Sequence, residues 1–453
     1  MMRALVLGLT ILGAPLVGPA AEISRLAERN PADRTVASAP ADTALTTKFD
    51  VNGVQVILRR NTANEVVVAN LYLLGGARQI TEANQGIEAL ILAASERGTK
   101  KFPGATARTL TARLGSSIGI EANDDWSAIG MHAIRTTLDS TWAIFADRIM
   151  APTLDANEVA LVKDQFISVA RERATNPDDA ASELADSLLY MNHPYALIPT
   201  GTIESLSGLT AAQLKAYHAQ QFVTSRMLLV VVGNVERAQI EKLVRGTIAT
   251  LPKGSYKWTP PPPIAAGGRA LALDNRTLPT NYILGYVPGP AATDKDYNAL
   301  RVATAVLSGR LFTEVRSRRN LTYAVESPFL ERSSAVAGLY VTTVDPNQVL
   351  RIMRQEITTL QRETVDPAGL KRLVQQFITE YYLKNETNAD QANSLTRAEL
   401  YQGDYREADR LIESLRMVSP EDVRRVATKY LRNFRFAYVG DANKLDKSLL
   451  QQF

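Results

Sequence analysis

An internal repeat restricts this chain to folds that can be built twice. Residues 155–190 align with residues 366–401 without a gap, at a constant offset of 211 positions. Nine of the 36 aligned pairs are identical, where a chain of this composition would give roughly two by chance. The identical pairs are Asp155/Asp366, Gln165/Gln376, Phe166/Phe377, Ile167/Ile378, Asp179/Asp390, Ala181/Ala392, Leu184/Leu395, Leu189/Leu400 and Tyr190/Tyr401. The repeat therefore predicts two tandem homologous domains.

The ends of the two halves also correspond to each other. Thr210 precedes a helical segment that leads to the apolar run 228–233, and Ser419 precedes one that leads to residues 436–440. Both hydroxyl residues are favourable helix N-caps, because the side-chain oxygen can accept a hydrogen bond from a free backbone N–H of the first turn. We expect each half to end with a helix followed by a strand.

Four consecutive prolines, residues 260–263, mark the boundary between the halves. Proline lacks a backbone N–H and fixes φ, so such a run fits neither a helix interior nor a central strand. We assign residues 252–268 to a Pro/Gly-rich linker. Residues 45–251 are then the N-terminal domain, and residues 269–453 are the C-terminal domain.

Hydrophobic patterning predicts both strands and helices within the N-terminal half. Residues 54–58 and 66–73 read as strands, and residues 127–133 alternate between apolar and small or polar side chains as a half-buried strand does. Helices are predicted over about 86–96 and 106–114. Together with the repeat, this predicts an α+β fold in which each domain is a mostly antiparallel sheet with helices packed on one face.

The first residues have the layout of a secretory signal peptide. Arg3 is followed by an apolar run over residues 4–17 and then by small residues. With cleavage after Ala20, residues 1–20 are the signal peptide and residues 21–44 a flexible, Ala/Pro-rich lead-in. We expect a secreted protein, or a periplasmic one if the source is Gram-negative. A cytosolic protein with an apolar tail is the alternative.

Composition excludes several classes of protein. The chain is 45% apolar and 22% charged with a net charge of +4, and it has no basic cluster interleaved with aromatics, so nucleic-acid binding has no support. After the signal peptide no apolar run reaches the length of a membrane span, so no span is expected in the mature chain. The absence of cysteine excludes thiolate metal sites.

The histidines do not form a metal-binding pattern. His132, His193 and His218 are the three in the chain, and no two of them share the spacing of a local metal pair. We predict that His132 lies in a strand, His193 in a turn and His218 on an amphipathic helix. Each can be a structural histidine in that setting. We therefore expect no zinc site built from this chain's own side chains.

Residues 86–93, followed by residues 97–101, resemble the zinc-helix region of the pitrilysin/insulysin-type, or inverzincin, metallopeptidase family. That family carries H-x-x-E-H on a helix, preceded by a G-[IL]-A segment and followed by G-T. Both flanks are recognisable in this sequence. The resemblance covers about residues 45–450 and implies the fold of that family.

The zinc-binding motif itself is missing. The matching positions hold Ala89 and Ala93 for the two histidines, Leu92 for the catalytic glutamate and Val169 for the third ligand. Positions 89, 92 and 93 share one helix face, which we expect to pack as an apolar surface. The resemblance therefore implies a degenerate zinc site, no metal in this chain and no peptide hydrolysis by this chain alone.

A second stretch, residues 307–325, resembles the part of the family that carries R-x-x-x-x-L-x-Y. The matching residues are Arg316 and Tyr323. The resemblance implies that Tyr323 stabilises the oxyanion of the scissile carbonyl and that Arg316 binds a neighbouring substrate carbonyl. The alternative is that Arg316, with Arg318 and Arg319, is a solvated cation near a helix end and that Tyr323 is an ordinary strand residue.

Peptidases of this family enclose their substrate between four such domains, and this chain has two. The resemblance therefore implies a heterodimer with a homologous subunit that carries H-x-x-E-H and the zinc, while this chain supplies the Arg/Tyr pair and half of the peptide-binding chamber. The alternatives are an inert scaffold subunit of a larger assembly and a peptide-binding subunit without any peptidase. A homodimer is the least supported arrangement.

Overall fold

The first of two sheets lies in the N-terminal half. A computed structural model describes residues 45–265 and 267–453. The signal peptide expected at residues 1–20 and the lead-in expected at 21–44 lie outside the described residues. The strands of the first sheet are β1 (Thr46–Val51), β2 (Val54–Arg60), β3 (Val66–Leu74), β4 (Ser117–Ala122), β5 (Trp126–Ile134) and β6 (Met227–Gly233). Their order across the sheet is β1-β2-β6-β3-β5-β4.

The second sheet lies in the C-terminal half and repeats this arrangement. Its strands are β7 (Ala270–Asn275), β8 (Asn281–Ala291), β9 (Val325–Glu326), β10 (Phe329–Leu330), β11 (Ser334–Thr343) and β12 (Arg435–Gly440). The order is β10-β11-β8-β12-β7, and β9 also pairs with β11. In each sheet the last strand in sequence pairs in parallel with one early strand, β6 with β2 and β12 with β7, and antiparallel with the next. This matching topology confirms a duplicated α+β fold.

The helices follow the same repeated order. Those of the N-terminal half are α1 (Ile87–Ala94), α2 (Thr106–Arg113), α3 (Leu138–Met150), α4 (Ala156–Thr175), α5 (Pro177–Leu189), α6 (Ile203–Gly208), α7 (Ala211–Gln221) and α8 (Arg237–Arg245). Those of the C-terminal half are α9 (Asp296–Leu311), α10 (Pro346–Arg362), α11 (Pro367–Lys384), α12 (Asn388–Arg397), α13 (Glu407–Arg416), α14 (Pro420–Tyr430) and α15 (Lys447–Leu450). Helices α9 and α12 continue into π-helical turns, Phe312–Ser317 and Ala398–Gln402. In the described part of the chain, no helix is both long and apolar enough to cross a membrane.

Equivalent residues cap equivalent helices. Asp155 accepts hydrogen bonds from the first-turn N–H groups of α4, and Asp366 does the same for α11. Thr210 and Ser419 form capping boxes at α7 and α14, as their sequence context predicts. Such caps satisfy backbone donors that the helix cannot bond internally. The local starts of these helices are therefore fixed by the sequence repeat.

Each sheet is covered on one face by helices of its own half and on the other face by a helix of the opposite half. Ala181 and Leu189 of α5 pack on the second sheet against Leu284 of β8. Reciprocally, Leu395 of α12 packs on the first sheet in a cluster with Val230 of β6. The exchange of α5 and α12 buries both faces of the central strands, and so it ties the two halves together.

A buried polar network lies where the two halves meet. Arg332, from the turn before β11, pairs with Asp124, from the turn before β5, at 2.8 Å. The repeat-related tyrosines join the same network: Arg332 donates to the hydroxyl of Tyr190, and the hydroxyl of Tyr401 donates to Asp125 at 2.8 Å. Burial raises the pKa of Asp125, although the hydroxyl groups that donate to it act in the opposite direction.

The chain between the two sheets is held against both halves. Residues 252–265 contain neither helix nor strand. The indole N–H of Trp258 donates to the carbonyl oxygen of Leu400 at 3.1 Å, and the guanidinium of Arg78 lies over the Trp258 ring. The imidazole Nε2 of His193 lies 2.9 Å from the carbonyl oxygen of Pro262, which gives this histidine a structural partner.

Candidate functional site

The helix that resembles the family's zinc helix is buried and apolar on the face in question. Helix α1 begins after Gly86, whose φ of 89° lies in the left-handed region that favours glycine. A side chain there would also clash, since a Cβ would lie 2.8 Å from Leu206 and 2.9 Å from the backbone of Gly201. Ala89 and Leu92 are buried in the core of the N-terminal half.

The remaining positions of the degenerate site lie close by. Ala93 is half-buried against the same core, and α4, which carries half-buried Val169, packs on α1. The side chains at these four positions, including Ala89 and Leu92, contain only carbon and hydrogen. Zinc requires nitrogen, oxygen or thiolate donors, so these residues do not fit the ion. Among residues 45–265 and 267–453, no three His, Cys, Asp or Glu side chains lie close enough to hold a metal.

Helix α1 also carries a buried charge, at the position before Ala89, that sequence reasoning missed. The carboxylate of Glu88 accepts hydrogen bonds from the Tyr217 hydroxyl at 2.7 Å and the Ser127 hydroxyl at 2.8 Å. It also pairs with the guanidinium of Arg226 at 2.8 Å, and both charged groups are almost completely buried. Arg226 further donates to the carbonyl oxygen of Leu74. This network fixes α1 to its neighbours, and no group in it is left for a ligand.

The second predicted site lies on the surface of the C-terminal half. Arg316 is in the π-helical turn Phe312–Ser317 that extends α9. After this turn the chain leads back to the sheet, and the N–H of Leu321 donates a hydrogen bond to the carbonyl oxygen of Val315. Tyr323 comes just before β9 and is 82% exposed. A π-helical turn is uncommon and is frequently found at functional sites.

The structure brings Arg316 and Tyr323 together. The guanidinium carbon of Arg316 lies 4.8 Å from the centre of the Tyr323 ring. It also lies 5.0 Å from the centre of the Phe312 ring, which sequence reasoning missed. The four-residue spacing between Phe312 and Arg316 was an available signal, because residues four apart share a helix face.

Arg316 differs from the arginines next to it. Arg318 and Arg319 both pair with the carboxylate of Glu314, at 2.5 Å and 2.6 Å. For Arg316, no carboxylate or other side-chain hydrogen-bond partner is found in the part of the chain that the structure describes, and the same holds for the Tyr323 hydroxyl. The site therefore combines the guanidinium of Arg316, whose N–H groups are not used by another side chain, with the exposed hydroxyl of Tyr323.

The other two histidines do not take part in this site. His132 lies at the surface of β5, where partial desolvation of the imidazole by neighbouring side chains lowers its pKa. His218 lies on α7 with its Nε2 atom 2.8 Å from the carbonyl oxygen of Ile149, and burial lowers its pKa as well. Neither lies beside Arg316 or Tyr323 in sequence or in the sheet order.

Comparison with known proteins shows what these features resemble. Residues 208–377 match the family described as the peptidase M16 inactive domain. An uncharacterized zinc protease of Mycobacterium leprae is 24% identical over 310 residues, which are 66% of this chain and 70% of that protein. The mitochondrial-processing peptidase subunit beta of Blastocladiella emersonii is 22% identical over 407 residues, 86% of each chain.

Two further matches are to a subunit of a mitochondrial complex and to a solved structure. Subunit 1 of the mitochondrial cytochrome b-c1 complex of Bos taurus is 22% identical over 259 residues, 56% of this chain and 54% of that one. A peptidase M16 inactive domain from Pseudomonas fluorescens superimposes with a TM-score of 0.81 at 21% identity, covering 88% of this chain and 98% of that chain. The latter match supports the fold.

Over residues 208–377 and in its fold, this chain is thus similar to the M16, or pitrilysin-type, peptidase family, and the positions that match that family's zinc-binding motif hold no ligand side chains. The matched residues 208–377 do not include the four degenerate zinc positions, so the loss of the motif rests on the side chains found there.

Proposed function

We propose that this chain is the zinc-less subunit of a heterodimeric zinc metallopeptidase. Its partner is a homologous chain that carries H-x-x-E-H and supplies the zinc and the general base. The observation that carries the proposal is the pairing of Arg316 with exposed Tyr323, both without side-chain hydrogen-bond partners among the described residues. The neighbouring Arg318 and Arg319, by contrast, both pair with Glu314.

The two side chains have complementary tasks in this proposal. The Tyr323 hydroxyl donates a hydrogen bond to the scissile carbonyl oxygen, which becomes negative in the transition state and so binds the donor more strongly there. The Arg316 guanidinium offers several N–H donors in a fixed plane, which suits a neighbouring main-chain carbonyl. Neither side chain can generate the nucleophile, because that requires the partner's metal-bound water.

The substrate class follows from the same chemistry. Main-chain carbonyls are present in every peptide, so the pair recognises an extended peptide and leaves side-chain selection to other surfaces. Strand β4 is an edge of the first sheet, and an extended peptide can add to such an edge through backbone hydrogen bonds. We place the complex in the periplasm or outside the cell, on the signal-peptide layout of residues 1–20.

Reconstitution tests the proposal. A zinc-bearing M16 homologue from the same source is mixed with this chain, and cleavage of a quenched fluorescent peptide is measured for each chain alone and for the mixture. Size-exclusion chromatography and zinc analysis are run on the same samples. We expect cleavage from the mixture only, one complex of both chains, and zinc in the homologue only. Full activity of the homologue alone would contradict the proposal.

The second candidate is an inert scaffold subunit. The similarity to subunit 1 of the cytochrome b-c1 complex favours it, because that protein is a subunit of an assembly. A scaffold needs the fold and an interface but not the Tyr323 hydroxyl. A mixture whose cleavage rate does not change on Tyr323→Phe would therefore favour the scaffold.

A further inference from the structure

Phe312 is an apolar side chain in an unusual position. Its ring is 45% exposed, and it lies at the first residue of the π-helical turn that also carries Arg316. Leu311, the preceding residue, and Val315, three residues later, are fully buried in the core of the C-terminal half. The backbone therefore directs the neighbours inward, while the phenylalanine ring remains at the surface.

The ring contacts a charged group there. The guanidinium carbon of Arg316 lies 5.0 Å from the Phe312 ring centre and 4.8 Å from the Tyr323 ring centre, so both rings lie within cation–π distance of one cation. An aromatic face attracts a guanidinium without using its N–H donors as a carboxylate does. Arg316 can thus be held in place and still donate to a ligand.

We propose that Phe312 is a positioning residue for Arg316. It holds the guanidinium beside Tyr323, so that the arginine meets a peptide carbonyl without first being ordered. A long unrestrained side chain loses rotamer freedom when it binds, and this loss weakens binding. The inference rests on the proposed function for its substrate, whereas the contact between Phe312 and Arg316 can be tested without any peptide.

Nuclear magnetic resonance of the full chain labelled with 15N-arginine tests the contact. Arg316 is assigned by the loss of its Nε–H signal in Arg316→Lys. A proton over an aromatic face is shifted upfield, so we expect an upfield Arg316 signal that moves downfield in Phe312→Leu and stays upfield in Phe312→Tyr. Tyr382→Leu, which removes another exposed ring, is the control and should change nothing. An Arg316 signal that ignores Phe312→Leu would overturn the proposal.

The reconstituted mixture tests the consequence for substrate binding. A cation–π contact at an exposed site corresponds to roughly a 2- to 5-fold change in an equilibrium. Phe312→Leu should therefore raise KM by about that factor with kcat nearly unchanged, since the Arg316 contact serves binding. Phe312→Tyr keeps an aromatic ring and should leave KM at its wild-type value. In an Arg316→Ala background the Phe312→Leu effect should vanish, because the two residues act as one unit.

The outcomes separate this inference from the proposed function. If the wild-type mixture does not cleave peptide, the proposed function fails, and the magnetic resonance result alone decides whether Phe312 holds Arg316. If the mixture cleaves and Phe312→Leu lowers activity equally in the Arg316→Ala background, Phe312 acts elsewhere and the inference fails. The inference also fails if Phe312→Leu prevents complex formation, since Phe312 is then an interface residue.

Discussion

Helix α1 and the segment around Arg316 resemble two parts of one family's catalytic machinery, but their side chains are held in different ways. At α1 the metal-ligand positions carry Ala89 and Ala93, packed against the core or buried within it, and the only buried charge on that helix, Glu88, is satisfied by Arg226. On the surface of the other half, the N–H groups of Arg316 donate to no side chain among the described residues, and Tyr323 is exposed.

The difference lies in what holds each side chain. Around α1, hydrocarbon packing and a closed hydrogen-bond network stabilise the fold, and nothing is left to bind a ligand. Around Arg316, the contacts are two exposed rings, which contribute little to stability. Substitutions near α1 should therefore change stability, and substitutions near Arg316 should change function.

The largest effect is expected from Arg226→Leu. This change leaves the carboxylate of Glu88 buried without its charged partner, which costs roughly 3–5 kcal/mol in the free energy of unfolding. Urea unfolding followed by circular dichroism measures it. Arg316→Leu is the matched control and should change stability by less than about 0.5 kcal/mol. Equal losses for both variants would remove the proposed distinction between the regions.

Leu92→Glu restores the family's catalytic glutamate without the metal. The new carboxyl group would be buried in the apolar core, so we expect a loss of about 3 kcal/mol in the free energy of unfolding. Leu92→Met keeps the volume and should cost less than about 1.5 kcal/mol. Thermal unfolding of both variants provides the measurement. A Leu92→Glu chain as stable as the Leu92→Met chain would show that this face of α1 is open to water.

Asp296 is a buried carboxylate in the C-terminal half, the half that also carries Arg316. It tests whether buried charges there contribute to stability as Glu88 does in the N-terminal half. Burial alone would raise the pKa of Asp296, but hydrogen bonds from Lys429, Arg425 and Tyr430 outweigh it and lower that pKa to about 2. The resulting stabilisation is present above the unfolded pKa of about 4 and is lost as the pH falls towards 2.

The corresponding variant is Asp296→Asn. We expect it to cost on the order of 2 kcal/mol at pH 7 and almost nothing near pH 2, because the native carboxylate is itself being protonated there. Denaturant unfolding at a series of pH values measures the difference. A loss that is independent of pH would mean that the carboxylate's charge does not contribute to stability.

The smallest effect concerns Arg316→Lys. Lysine keeps the charge but loses the planar set of donors, so cleavage by the reconstituted mixture should fall about 10-fold, mainly through KM. Arg318→Lys lies two residues away and keeps a cation beside Glu314, so it should leave the rate unchanged. If the two variants behave alike, then the pairing with Tyr323 has no functional meaning.

Much of the local structure could be predicted from the sequence. The capping boxes at Thr210 and Ser419, the start of α1 after Gly86 and the repeated order of elements all depend on residues close to one another in the chain. Such features follow from hydrogen-bond geometry and periodicity that a short window contains. The position of Arg316 near Tyr323 also required only a seven-residue separation.

The parts that were not predicted depend on distant contacts. Nothing in α5 or α12 states which sheet each will cover, because an apolar helix face packs on either. The signal that was available lies in the strand: residues 227–232 of β6 are apolar without interruption and buried throughout, as expected for a strand covered on both faces. The pairing of Arg332 with Asp124 joins residues about two hundred positions apart, and no local pattern indicates it.

The central claim is that this chain orients substrate for a partner's metal centre through Tyr323. The most direct test is the peptide cleavage rate of the reconstituted mixture with Tyr323→Phe, against wild type and against Tyr382→Phe, which removes another exposed hydroxyl. Loss of an oxyanion donor predicts a fall in kcat of about 100-fold for Tyr323→Phe with unchanged complex formation, and no change for Tyr382→Phe. Equal rates for all three mixtures would contradict the claim, and the Arg316/Tyr323 pair would then have no catalytic role.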